Sequence, residues 1–207
     1  MFCLKKLLVI LEIELYNKFM AKKVWRLFLE IIQDITLVLA AFVLVYLFLF
    51  RPHQVNGMSM YPSFHDKDFI LSERISYRFR EPKRGEIVVF KAPPTEVCAA
   101  IECEYIKRVV ALSGEAVKVK DGTVFINGQP LVEEYLPDET VTSAGDFLHE
   151  DEEKVVPQDY FLFLGDNRGG SRDGRDFGFI AKEDIVGRAI FRYWPLLGFG
   201  SVANVGF

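Results

Sequence analysis

A serine on a constrained loop is the first residue in this sequence whose type and setting suit covalent chemistry. Ser59 lies in the segment 56–62, which reads NGMSMYP. Asn-Gly favours a sharp turn, and Pro62 restricts the residue before it to extended geometry. A serine hydroxyl becomes a nucleophile only when a neighbouring base takes its proton. Without such a base, Ser59 is an ordinary surface residue.

The second candidate is a lysine among apolar residues. The segment 105–112, YIKRVVAL, is typical of a β-strand. Alternation places Tyr105, Lys107 and Val109 on one face, and Ile106 and Arg108 on the other. The face with Tyr105 and Val109 is expected to point to the core. Burial disfavours the charged form of a lysine, so Lys107 is a candidate general base near neutral pH. A packing compromise is the alternative.

The third candidate is the glycine-rich segment 165–178, GDNRGGSRDGRDFG, which contains six charged residues. A charged surface loop explains the glycines, but the alternation of aspartate and arginine predicts an internal salt-bridge network that fixes the shape of the loop. The sequence shows no Ser-His-Asp arrangement and no G-x-S-x-G elbow. His65, six residues after Ser59, is expected at the surface. A Ser-Lys dyad is the remaining route to an activated serine.

Composition limits what kind of protein presents these residues. The chain has 207 residues, a net charge of −4 and a pI near 5.5, so a general nucleic-acid binder is disfavoured. Half of the residues are hydrophobic, which excludes intrinsic disorder. Residues 1–51 carry seven basic and four acidic residues, whereas 52–207 carry 18 basic and 25 acidic ones. A basic N-terminal segment and an acidic remainder of the chain therefore meet at one very apolar stretch.

That stretch predicts a membrane anchor over residues 31–51. Residues 35–50 read ITLVLAAFVLVYLFLF, and Pro52 cannot continue a helix. The basic residues before it predict a cytoplasmic N-terminal segment, 1–30, and an extracytoplasmic domain, 52–207. A buried core helix is one alternative. A cleaved signal peptide is the other, but no pair of small residues follows Phe50. Residues 4–19 are either an amphipathic helix on the inner membrane surface or a helix without a specific partner.

The domain 52–207 is expected to be mostly β, with an antiparallel sheet. Short runs of β-branched and aromatic residues alternate with turn signals, most clearly at the hairpin 116–120 and 123–126 around Asp121-Gly122. Residues 116–158 combine this hairpin with an acidic insertion, 137–157, that is expected to be solvated and mobile. Cys98 and Cys103 either form a disulfide or remain thiols, and Cys3 is expected to be free. No spacing of cysteines and histidines suggests a metal site.

With these motifs together, the sequence resembles the bacterial type I signal peptidases, also called leader peptidases, a family of Ser-Lys serine proteases. The resemblance covers about residues 30–195. After the anchor come four motifs in the family's order: G-x-S-M-x-P at 57–62, R-G-E-I-V-V-F at 84–90, Y-I-K-R-V-V-A-L-S-G-E at 105–115 and G-D-N-R-x-x-S-x-D-x-R-x-F-G at 165–178.

The resemblance implies roles for individual residues. Ser59 matches the nucleophile and Lys107 the general base, and Ser171 matches a serine that orients the lysine. Supporting and substrate-binding positions are matched by Asp166, Asp173 and Arg175, and by Val55, Met60, Phe64, Tyr105 and Ile106, respectively. The implied enzyme sits in the cell (cytoplasmic or inner) membrane and removes signal peptides from secretory preproteins after Ala-X-Ala sites. Its partners are these preproteins and the lipid bilayer, without nucleic acid, cofactor or metal.

Two positions depart from the family pattern. Gly57 is a serine in some members, where its hydroxyl helps to stabilise the oxyanion, although other branches have glycine there. Gly174 replaces a usual serine beside Asp173 and Arg175. Two other classes remain as rivals. A self-cleaving repressor would carry a DNA-binding domain in place of the anchor, and a catalytically silent membrane-anchored module would serve only as a binding partner.

Overall fold

A computed structural model describes the backbone of residues 2–94, 96 and 103–202, and the side chains within these ranges from residue 18 onward. The described chain divides between Phe48 and Leu49 into a helical unit and a β unit. Cys3 and Cys98 lie outside the residues whose side chains are described. Cys103 is disulfide-bonded.

The N-terminal helix, α1, runs without a break over Phe2–Leu49. It therefore includes the segment expected on the membrane surface and the expected anchor up to Leu49, whereas residues 50 and 51 belong to the first strand. Its part Lys18–Leu49 is long enough to cross a membrane and contains an 18-residue window with a mean hydropathy of 2.3, none of which is buried. The helix ends before Arg51 and Pro52, which lie in the first strand.

Twelve strands follow in the described chain: β1 (Phe50–Gln54), β2 (Phe69–Glu73), β3 (Ile87–Lys91), β4 (Glu104–Ala111), β5 (Ala116–Lys120), β6 (Thr123–Ile126), β7 (Gln129–Pro130), β8 (Lys154–Val155), β9 (Tyr160–Leu164), β10 (Ile180–Ala181), β11 (Ile185–Trp194) and β12 (Gly200–Ser201). Two one-turn helices, α2 (Ser76–Phe79) and α3 (Gly174–Phe177), interrupt them.

The strands form two antiparallel sheets, which confirms the predicted mostly β fold class. The larger sheet has the order β1-β2-β11-β3-β4-β9-β10, with β12 paired to β11. The smaller sheet has the order β7-β6-β5-β8. Its central hairpin pairs Lys120 with Thr123 across Asp121 and Gly122. Both turn residues have positive φ, as a tight two-residue hairpin requires.

Strand β4 is central in the larger sheet, and its last five residues are buried on both faces. Val109 packs with Phe90 and Phe163 on one side, whereas Val110 belongs to a second core cluster. The expectation that only one of the two basic residues points inward is therefore wrong, because Lys107 and Arg108 are both buried. Alternation distinguishes a buried face from an exposed one, and a strand that packs on both faces has no exposed face.

The acidic segment 137–157 is packed more closely than its composition suggests. Leu148 and Val156 are fully buried in the core cluster of the smaller sheet, and Thr142 is buried as well. The expectation of a solvated insertion is wrong at these positions. Apolar and hydroxyl side chains spaced among the carboxylates reach the core, while the carboxylates of Asp146 and Asp151 remain exposed.

Candidate active site

The structure brings Ser59 and Lys107 together, although 48 residues separate them in sequence. Lys107 Nζ lies 2.7 Å from Ser59 Oγ. Ser59 is on the loop that follows β1, and Lys107 projects from the middle of β4. This distance is within the range in which a base takes a proton from a nucleophile.

Burial lowers the pKa of Lys107. Lys107 is only 4% exposed, and its burial lowers the pKa of the ammonium group to about 8, although the carboxylates of Asp173 and Asp166 oppose the shift. A neutral amine is therefore a substantial species near pH 8, whereas an exposed lysine would be almost fully protonated. This is the property that a general base needs.

Asn167 holds the backbone on either side of the serine. Its backbone N–H donates to Ser59 O at 3.0 Å, and its Nδ2 donates to Met58 O at 3.0 Å. On the other side of the loop, the N–H of Gly57 donates to Asp66 Oδ1 at 2.7 Å, with a φ of +94°. Sequence reasoning gave Asn167 no role. The signal available was its position inside the segment 165–178.

Asp166 forms a buried ion pair with Arg108 behind the dyad. Arg108 Nε donates to Asp166 Oδ1 at 2.8 Å, and its Nη2 donates to Oδ2 at 2.6 Å. Ser63 Oγ also donates to Oδ2, at 2.5 Å. Such a bidentate pair fixes both partners in place. It joins β4, which carries Lys107, to the segment that carries Asn167.

Asp173 and Arg175 form a second buried network in the segment 165–178. Arg175 Nε donates to Asp173 Oδ1 at 2.8 Å, and the N–H of Gly165 donates to Asp173 Oδ2 at 2.9 Å. Asp173 also caps α3 through the N–H of Arg175. The predicted aspartate–arginine network is therefore present. A Cβ at Gly174 would lie 2.6 Å from Leu162 Cδ1, so α3 approaches β9 more closely than a side chain would allow.

Ser171 lies close to these residues without bonding to the lysine. Its Oγ is buried and has no hydrogen-bond partner among the described residues. A Cβ built on Gly165 would lie 2.1 Å from this oxygen and 2.5 Å from Ser59 O. Ser171 is therefore next to the dyad, but its expected hydrogen bond to Lys107 is not formed in this structure.

A groove of about 720 Å³ opens at the dyad. Of the residues expected to bind substrate, Val55, Tyr105 and Ile106 line it together with Ser59 and Lys107. The other two are not in its lining: Met60 and Phe64 are buried with Val55 in one core cluster, against which Ile106 packs. They thus lie behind the groove wall.

Two strand edges without a strand partner border this groove in the described chain. Strand β1 pairs only with β2, and β4 pairs with β9 only from Arg108 onward. Because Val109 bonds to Gly85 and Glu86, directly before β3, alternation directs the backbone groups of Ile106 and Glu104 away from β3, toward the unpaired edge. An extended peptide can pair with such an edge by adding a strand.

Comparison with known proteins places this geometry in a family. The family described as "Signal peptidase, peptidase S26" matches residues 28–194. "Signal peptidase I" of Leptolyngbya laminosa is 39% identical over 159 residues, which are 75% of this chain and 74% of that protein. "Signal peptidase IB" of Staphylococcus aureus (strain COL) is 30% identical over 184 residues, covering 82% of this chain and 93% of that one.

Two further relatives complete the comparison. "Probable signal peptidase I-2" of Synechocystis sp. is 38% identical over 151 residues, 72% of this chain and 65% of its own. A solved signal peptidase I from Enterococcus faecalis V583 is 26% identical, covers 53% of this chain and 97% of its own, and has a TM-score of 0.40, which supports no argument about the fold. The family match over most of the chain, with two of these relatives above 30% identity across about three quarters of it, shows that this chain belongs to the signal peptidase family, peptidase S26.

Proposed function

We propose that the chain cleaves signal peptides with Ser59 as nucleophile and Lys107 as general base. Its family consists of signal peptidases, so the chain is a serine endopeptidase, a hydrolase that removes signal peptides. The observation that carries the dyad is the 2.7 Å contact between Ser59 Oγ and a buried lysine whose pKa is lowered to about 8.

In the proposed first half-reaction, neutral Lys107 Nζ accepts the proton of Ser59 as its Oγ attacks the scissile carbonyl carbon. The resulting ammonium group then donates that proton to the leaving amine, and the C–N bond breaks. An ester between Ser59 and the signal peptide remains. In the second half-reaction, Lys107 takes a proton from water, the hydroxide attacks the ester, and Ser59 Oγ leaves with the proton that the lysine returns.

The oxyanion needs hydrogen-bond donors. The backbone N–H of Ser59 has no acceptor among the described residues, so it supports a role as one donor. Gly57 provides no hydroxyl, and its own N–H bonds to Asp66. The second donor is therefore assigned to no side chain here. Because losing one donor typically lowers the rate about 100- to 1,000-fold, a second donor is needed beside the Ser59 N–H, and it is proposed to be another backbone N–H or a water.

The proposed substrate is an extended preprotein segment with small residues at the first and third positions before the bond, as in Ala-X-Ala. It pairs with the free edge of β4 at Ile106, and its side chains meet Val55 and Tyr105. Met60 and Phe64 back this wall from the core. A wall already filled from behind favours small side chains over bulky ones.

The supporting residues act through position. Asp166 and Asp173 are proposed to hold the segment 165–178 against the serine loop, through Arg108 and Arg175, respectively. The buried hydroxyl of Ser171, which lacks a partner among described residues, is proposed to bond to Lys107 when the lysine shifts during the reaction.

The proposed organisation follows from the apolar helix. Residues 31–51 anchor the chain in the cell membrane, 1–30 remain cytoplasmic because of their basic residues, and 52–207 form the extracytoplasmic peptidase domain. The anchor tethers the peptidase domain to the membrane that signal peptides cross.

The test is cleavage of a preprotein with an Ala-X-Ala site by the full chain in detergent micelles. We expect the wild type to cut after the second alanine, and Ser59→Ala and Lys107→Met each to lose at least about 1,000-fold in kcat. Ser113→Ala and Lys182→Met are matched controls, because both residues lie on the surface away from the groove, and they should cut normally. Undiminished cleavage by Lys107→Met would place the base elsewhere.

A further inference from the structure

One end of the groove has a charged lining, unlike its apolar wall near the dyad. Arg51 and His53 from β1 and Glu104 from β4 all line it. Arg51 Nη1 lies 2.9 Å from Glu104 Oε1, and His53 Nδ1 lies 3.1 Å from Glu104 Oε2. The two strands that border the groove are thus joined by one carboxylate at this end.

The partners of His53 fix its orientation. Its Nε2 lies 2.7 Å from Ser72 Oγ, which is fully buried. Burial lowers the pKa of the His53 imidazole below its usual value, although Glu104 beside it opposes the shift. A neutral imidazole donates from one nitrogen and accepts at the other. Nδ1 therefore faces the Glu104 carboxylate, and Nε2 is held by the Ser72 hydroxyl, which also donates to Arg51 O at 3.3 Å.

Glu104 retains capacity to accept further hydrogen bonds. An ionised carboxylate has about four acceptor positions, and contacts with Arg51 and His53 within the described chain use one on each oxygen. The Glu104 side chain is 18% exposed, toward the groove. A hydroxyl or amide group that enters this end of the groove can therefore donate a hydrogen bond to the carboxylate. An alkyl group would displace water from the carboxylate without forming a hydrogen bond in its place.

The strand geometry locates this end along a bound peptide. Glu104 precedes Ile106 by two residues, which is roughly 7 Å along an extended strand, and the two side chains lie on the same face of β4. In a peptide paired with the β4 edge, the first and third residues before the scissile bond point to the same side, and the second points away. If the first residue lies beside Ile106 at the Ser59–Lys107 pair, the third, roughly 7 Å away, lies beside Glu104.

We propose that Arg51, His53 and Glu104 form a polar subsite that selects hydroxyl- or amide-bearing side chains, over apolar ones of equal size, at the third position before the scissile bond. The proposal rests on the proposed function and adds to it. A shallow pocket selects by size alone, but this subsite also selects by hydrogen-bonding capacity.

The test compares isosteric pairs in one preprotein. The third position carries Thr or Val in one pair and Asn or Leu in the other, and the same pairs at the second position serve as the control. One net hydrogen bond predicts that the wild-type full chain prefers Thr to Val, and Asn to Leu, roughly three- to tenfold in kcat/KM at the third position. The ratio should be close to one at the second position, whose side chain points to solvent.

Variants then locate the cause. His53→Phe combined with Glu104→Leu makes the subsite apolar, and the preference should fall to one or invert. Glu104→Leu alone should do the same and serves if the double variant does not fold. Asp151→Asn is the matched control, because Asp151 is a carboxylate paired with two lysines on the smaller sheet, and it should keep the wild-type ratios. Each ratio is internal to one enzyme, so a general loss of activity cancels.

The outcomes separate the two proposals. Ser59-dependent cleavage with equal rates for Thr and Val would overturn the polar subsite and leave the proposed function intact. A wild-type preference that survives in the apolar variants would also overturn it, because the selecting group would then lie elsewhere. No cleavage by the wild type, or cleavage that persists in Ser59→Ala, would refute the proposed function and the subsite with it.

Discussion

Replacing Lys107 by methionine should make this protein more stable while removing its activity. The pKa of the lysine falls from an ordinary value of 10.5 to about 8, so at pH 7 the folded protein holds a charge that its surroundings disfavour. At 1.36 kcal/mol per unit, this penalty is about 3 kcal/mol. The variant also loses the hydrogen bond to Ser59, which is worth about 1 kcal/mol. A net gain of about 2 kcal/mol remains.

The sign of the pH dependence follows from the same shift. Between pH 8 and 10.5, the unfolded chain binds more protons at Lys107 than the folded chain does, so the wild type gains stability as the pH rises through this window. The variant has no such group. Its advantage should therefore decrease by about 1 kcal/mol between pH 7 and pH 9.

The assay is the thermal unfolding midpoint of the full chain in micelles at both pH values. For a domain of this size, 2 kcal/mol corresponds to a rise of about 4–8 °C at pH 7. Arg108→Met is the matched control on the next residue of β4. It should lower the midpoint, because it leaves the Asp166 carboxylate buried without its partner, at a cost of about 3–5 kcal/mol. A lower midpoint for Lys107→Met, or an advantage that does not change with pH, would refute the reasoning.

Three further outcomes are expected. The logarithm of kcat/KM should rise with unit slope up to about pH 8 and then level off, as neutral Lys107 accumulates, and a flat profile from pH 6 to 8 would contradict this. Asn167→Ala should lower kcat about tenfold with little change in KM, since it releases Met58 O and loosens the serine loop; an unchanged kcat would show that the backbone bond suffices. Gly174→Ala should lower the free energy of unfolding in denaturant by about 1–3 kcal/mol, because the added Cβ would lie 2.6 Å from a leucine side chain and 2.9 Å from a backbone oxygen. Gly169→Ala is the control, because a Cβ there meets open space, and its stability should not change.

Sequence reasoning singled out Ser59 and Lys107 because both have unusual local settings, and the resemblance to signal peptidases then gave them their expected roles. Ser59 lies between Asn-Gly and a proline, and Lys107 lies in an apolar strand, so each is conspicuous locally. Arg108 was misplaced because its burial depends on a partner 58 residues away, which no local pattern reveals. Asn167 escaped notice for a related reason, since it acts on backbone atoms of a distant loop.

The acidic segment 137–157 also shows that local sequence patterns do not reveal burial. Its carboxylates suggested a solvated insertion, but Glu133, which lies just before it, forms an ion pair with buried Arg168, and Tyr135 shares that network. Leu148 in turn reaches the core of the smaller sheet. Composition averages over such a segment, whereas burial is decided by single side chains and by what the remainder of the chain offers them.

The proposed pairing of the substrate with the edge of β4 has a consequence for which proteins are protected from this enzyme. A strand edge recognises a chain by its backbone, so the segment that binds there must first be released from any helix or sheet of its own. A sequence of the proposed Ala-X-Ala type inside a folded domain meets this condition only when that domain opens locally. An opening that costs about 4 kcal/mol lowers the cleavable population about a thousandfold. The folding of the secreted protein therefore adds to the fidelity of the cut, beyond anything that the peptidase reads in the sequence.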